Sequence, residues 1–73
     1  MYNFIVFNNK GKEMSSQELI KLLIANGWRL DRVHGSHHVF VKDGNRYSIP
    51  VPHPKKDLPM GTVRDIKKKA GIR

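Results

Sequence analysis

The stretch WRLDRVHGSHHVFVKDGNRYSIPV, residues 28–51, decides the fold. Trp28 and Leu30 alternate with Arg29 and Asp31, and Val33 closes the run. That period of two is the signature of a half-buried strand. His34-Gly35-Ser36 has turn chemistry, and residues 37–42 (HHVFVK) form a second β-rich run. Asp43-Gly44-Asn45 reads as a hairpin turn, because Gly and Asn tolerate positive φ. Residues 46–51 complete a third strand, with Tyr47, Ile49 and Val51 on one face. Pro50 has no N–H for a ladder bond, which places this strand or its end at a sheet edge.

Upstream, Ser15 stands three residues before Glu18, the spacing of a capping box. Leu19, Ile20, Leu22, Leu23 and Ile24 then recur at helical spacing, and Gly27 follows the last of them. A helix is expected over residues 16–26. Downstream, Pro52-His53-Pro54-Lys55-Lys56-Asp57-Leu58-Pro59 is too rich in proline for a helix and reads as a stiff basic loop. A second helix is expected over residues 60–70, with Val63, Ile66 and Ala70 on one side and Gly71 as its stop. The order is helix, three antiparallel strands, helix. It predicts a two-layer α+β domain with both helices on one sheet face and the other face open to a partner.

At 73 residues the chain holds one small domain with a thin core. Met14 is the expected start of the compact part, giving a domain over 14–73 and an extension of unknown role over 1–13. Within that extension Tyr2 to Phe7 reads as an extra strand or an arm. The chain has no cysteine, so neither disulfides nor thiolate metal sites contribute. The start carries no basic n-region or small-residue cleavage site, and no run approaches the length of a membrane span. The expectation is a soluble intracellular protein. Lys and Arg outnumber Asp and Glu by 14 to 6, a formal net charge of +8. Such a bias speaks to partners, and nucleic acid is the obvious polyanion. An acidic protein partner is the alternative.

The acidic residues Glu13, Glu18, Asp31, Asp43, Asp57 and Asp65 form no close pair of the kind that holds catalytic Mg²⁺. His34, His37, His38 and His53 match no standard zinc spacing. No metal or cofactor is therefore expected. Ser36 lacks the Gly-x-Ser-x-Gly elbow of a serine hydrolase. A metal-free ribonuclease needs less. RNA brings its own nucleophile, the ribose 2′-OH, and a histidine can move the protons at neutral pH. Arg and Lys then stabilise the developing phosphorane charge.

Three histidines, 34, 37 and 38, flank one turn. Alternation puts His37 and His38 on opposite faces, the first with Val39 and Val41, the second with Phe40. Apolar residues lie on both sides, so the pattern leaves open which histidine is exposed. A strand histidine is also commonly a half-buried spacer. Lys55, Lys56, Lys67, Lys68 and Lys69 read either as a solvated face or as phosphate contacts. Trp28 reads as core, with a base-stacking platform as the alternative.

Taken together, Gly27-Trp28, Gly35-Ser36-His37-His38-Val39-Phe40, Val51-Pro52-His53-Pro54, Leu58-Pro59-Met60-Gly61-Thr62-Val63 and Ala70-Gly71-Ile72 resemble the HicA toxin family over Met14 to Arg73. The resemblance implies a fold similar to the double-stranded-RNA-binding domain. It implies a bacterial cytoplasmic toxin of a type II toxin–antitoxin system, which cleaves mRNA and arrests growth. It implies a HicB antitoxin as partner, with the toxin monomeric alone and hetero-oligomeric in the complex. It assigns catalysis to His37, with His38 as the alternative. Gly35, Ser36, Lys55, Lys56, Lys67 and Lys68 are the expected RNA contacts. Residues 1–13 have no counterpart in the family. The competing expectation is a non-catalytic double-stranded-RNA-binding module, which would need no Gly-Ser-His turn.

Overall fold

The computed structural model describes residues 14–72, which run α1 (Ser16–Ala25), β1 (Arg29–His34), β2 (His37–Val41), β3 (Ile49–Pro52) and α2 (Met60–Ala70). The extension over 1–13, and the strand expected within it, lie outside the described residues.

Local chemistry sets both helix ends. The Ser15 hydroxyl accepts from the Glu18 N–H at 3.1 Å, and the Ser15 N–H donates to the Glu18 carboxylate at 2.9 Å. This reciprocal box satisfies two donors that helix geometry leaves unpaired. α2 stops at Gly71, whose φ of 76° is left-handed. The N–H groups of Gly71 and Ile72 turn back to the Lys68 and Lys67 carbonyls at 3.2 and 2.8 Å. Lys67, Lys68 and Lys69 fill the last turn, where cations suit the helix dipole.

The sheet is an antiparallel meander in the order β1-β2-β3. Leu19 and Leu23 from α1, and Ile66 and Ala70 from α2, meet Phe40, Ile49 and Val51 in one core, closed by Trp28 and Leu58. Both helices therefore cover the same sheet face, as the sequence led us to expect. Trp28 is only 2% exposed, which settles it as a core residue rather than a stacking platform. Ile24, in contrast, falls off the apolar stripe and is exposed.

Two local departures have physical causes. β3 begins at Ile49, not at Arg46. The Asn45 side chain captures the Tyr47 N–H at 2.9 Å, so the chain makes a local turn where it was expected to pair. Tyr47 is accordingly exposed. The second departure is in β1. Leu30 pairs with Phe40, yet the next pair is Arg32 with Val39, so Asp31 is an extra, bulged residue.

Candidate active site at the hairpin turn

The bulge decides which side chains share a face with His37. Opposed residues of an antiparallel ladder project to the same side. Phe40 is buried in the core, so its partner Leu30 belongs to the helix-covered face. Strict alternation from Leu30 would send Arg32 and His34 to that face too. The extra residue inverts them. Arg32 now pairs with Val39, Val33 with His38, and His34 with His37. Arg32, His34, His37, Val39 and Pro50 consequently line one open pocket on the outer face, away from the helices.

His37 is exposed at the start of β2. Gly35 precedes it with φ of 62° in a two-residue turn, the left-handed setting that tight hairpins need. Arg32 is beside it in the pocket, its Nη1 2.6 Å from the Asp31 carboxylate. Val39 is 5% exposed yet stands outside the main core cluster, so it forms an apolar floor beneath these polar groups. An exposed imidazole beside a guanidinium over an apolar floor can hold a phosphate and exchange a proton with its neighbours.

His38 occupies the opposite face. It pairs with Val33 and with buried Val51, and is itself half-buried. Its Nδ1 is buried without a hydrogen-bond partner among the described residues. Its ring meets His53 edge to face, with centroids 4.7 Å apart and planes at 82°. His53 Nδ1 in turn is 2.6 Å from the hydroxyl of Ser16, which is 1% exposed. That hydroxyl accepts the Lys55 N–H at 2.8 Å and is 3.2 Å from the Lys55 carbonyl. The Ser16 proton can serve either the ring or the carbonyl, so the arrangement accommodates both forms of the His53 Nδ1 atom.

The lysines expected to meet RNA divide into two groups. Lys55 and Lys56 are exposed on the loop that follows His53, whose N–H donates to the Ser36 carbonyl at 2.9 Å. They belong to the same end of the sheet as Gly35 and Ser36. Lys67 and Lys68 line a separate groove with Met60, Val63, Arg64 and Ile72 on α2. The structure does not bring that pair to the His37 face. His34 entered the sequence reading only as one of three histidines at the turn, and Arg32, Ser16 and His53 had no place among the expected site residues. A bulge is invisible to periodicity, and the Ser16–His53 contact joins positions 37 residues apart. Among the described residues, no three His, Cys, Asp or Glu side chains gather as metal ligands. No helix there is long and apolar enough to cross a membrane.

Residues 16–72 match the family model for the HicA toxin of bacterial toxin–antitoxin systems, and the chain belongs to that family. A chain of a toxin–antitoxin complex from Streptococcus pneumoniae is 38% identical, with a TM-score of 0.70, over 81% of this chain and 98% of that one. A chain of a HicA3 and HicB3 toxin–antitoxin complex is 41% identical, with a TM-score of 0.74, over 82% of this chain and 97% of that one. Comparison with curated protein sequences gave no match.

Proposed function

We propose that this HicA-family toxin is a metal-independent endoribonuclease that cleaves mRNA and so arrests translation and growth in the bacterial cytoplasm. His37 is the proton-transfer group. One observation carries the choice: of the two adjacent histidines, His37 stands exposed on the outer face beside Arg32, while His38 turns to the helix-covered face. RNA supplies the 2′-OH nucleophile, so the protein has only to move protons and steady the phosphate. Gly35 and Ser36 present backbone at the turn, and Lys55 and Lys56 extend the cationic surface from it. Lys67 and Lys68 would reach RNA only by a second contact over α2. Residues 14–73 form the toxin domain, and 1–13 are an addition to it.

A HicB-type antitoxin is the proposed partner, since the two similar structures are toxin–antitoxin complexes. It neutralises the toxin by covering the His37 face.

The test is expression of the chain in bacteria and cleavage of mRNA in vitro with EDTA present. Wild type should arrest growth and cut RNA. His37→Ala should do neither while keeping the far-ultraviolet circular dichroism of the wild type. Loss of cleavage in EDTA would exclude the metal-free mechanism. Tight RNA binding without cleavage would favour a double-stranded-RNA-binding module instead.

A further inference from the structure

Transesterification of RNA needs two proton transfers on opposite sides of one phosphorus atom. The 2′-OH must lose a proton as its oxygen bonds to phosphorus. The 5′-oxygen must gain one as its bond to phosphorus breaks. A single imidazole cannot stand at both oxygens at once, so a site built on His37 alone is half equipped.

The bulge at Asp31 supplies the other half. His34 and His37 are the last register pair before the Gly35–Ser36 turn, one at each strand end. Directly opposed residues carry their Cβ atoms roughly 5 Å apart on one face. Both are exposed, and both line the pocket with Arg32. The charged and titratable groups facing this pair are few. From β1 there is Arg32, with Asp31 bound to its guanidinium at 2.6 Å. From β3 the facing residues, Pro50 and Pro52, carry no charge. The two histidines therefore line one open pocket, with Arg32 beside them and an apolar floor in Val39 and Pro50.

We propose that His34 is the second proton-transfer group of this toxin, paired across the hairpin with His37, and that Arg32 holds the scissile phosphate between them. The proposal rests on the endoribonuclease reading above. One neutral imidazole takes the 2′-proton, and the other, as imidazolium, gives its proton to the 5′-oxygen. The products are a 2′,3′-cyclic phosphate and a 5′-hydroxyl. The two rings end with their protonation states exchanged, and solvent restores them. No oxidant, metal or further reactant enters the balance.

The experiment measures kcat/KM against pH for the full chain on a short RNA oligonucleotide. It compares wild type, His34→Ala, His34→Asn and His37→Ala. A second oligonucleotide carries sulfur in place of the bridging 5′-oxygen, so its leaving group needs no proton. Wild type should give a bell-shaped profile, the mark of one acid and one base. Both His34 variants should fall on the order of 100- to 10,000-fold and lose one limb of the bell. One histidine's alanine variant, at position 34 or 37, should recover toward wild type on the sulfur substrate. A His34 variant that keeps the wild-type rate, or that slows while retaining both limbs, overturns the proposal. So does recovery of neither histidine. Failure of the parent reading looks different: wild type then cuts no RNA, or His37→Ala cuts as fast as wild type.

Discussion

The backbone N–H of His53 donates to the carbonyl of Ser36 at 2.9 Å, so the exit of β3 is tied to the turn that carries His37. The same residue reaches Ser16 at the start of α1 through its ring. Three separated segments are thus fixed relative to one another by one histidine.

Ser16→Ala should lower the stability of the domain by about 0.5–1.5 kcal/mol, because the part-buried Lys55 N–H loses its acceptor. His53→Ala should do the same by removing the ring that the Ser16 hydroxyl and His38 both meet. The double variant should cost less than the sum of the two, since both act on one contact. Urea titration checks this, with midpoints that fall at unchanged slope. Strict additivity would mean that the Ser16–His53 contact carries no energy.

Gly35→Ala should destabilise the hairpin by about 1–2 kcal/mol although nothing occupies the space where its Cβ would lie. The cost is conformational: φ of 62° is left-handed, and alanine resists it. Gly35→Asn should cost less, because asparagine tolerates that region. Thermal unfolding of the two variants ranks them.

Phe40→Ala should bring the domain close to unfolding at room temperature. Phe40 is 1% exposed at the centre of the core, and truncations of this kind cost about 3–5 kcal/mol. A domain of this length has only roughly 4–10 kcal/mol to lose. A circular dichroism melt should show a broad, depressed transition, and an unchanged midpoint would be incompatible with the packing described.

Lysine substitutions should separate by position. Changing Lys55 and Lys56 together to alanine should reduce the salt dependence of RNA binding by roughly one to two phosphate contacts, about 0.7 in slope for each on single strands. Changing Lys67 and Lys68 should leave the slope for a short single-stranded RNA nearly unchanged, because they line a groove on α2 apart from His37. Fluorescence anisotropy across a salt series reads both slopes. Equal losses from the two pairs would show that RNA wraps over the helices.

Much of the fold was legible because its signals are local. Ser15 with Glu18, and Gly71 after the Lys67–Lys69 run, mark helix ends by chemistry that acts within a few residues. The opposed faces of His37 and His38 followed from alternation. Which of them looks outward did not, since Val39 and Phe40 are both apolar and both buried. The partners of His37 were hidden for a different reason. Counting in twos from Leu30 puts Arg32 and His34 on the wrong side, and only the pairing register reveals the bulge. The late start of β3 turned on a single side-chain hydrogen bond at Asn45.

The distances along the chain that these contacts close are very unequal. His34 and His37 pair across three positions, whereas Ser16 and Lys55 meet across 39. Closing a long loop costs more entropy than closing a short one, and non-local contacts are rewarded only after that cost is met. The hairpin that carries the candidate site therefore closes its contacts at little entropic cost, and the Ser16 hub has among the most expensive. The candidate site thus stands on contacts local to one hairpin, while the Ser16 hydroxyl ties α1 to the loop that leaves β3.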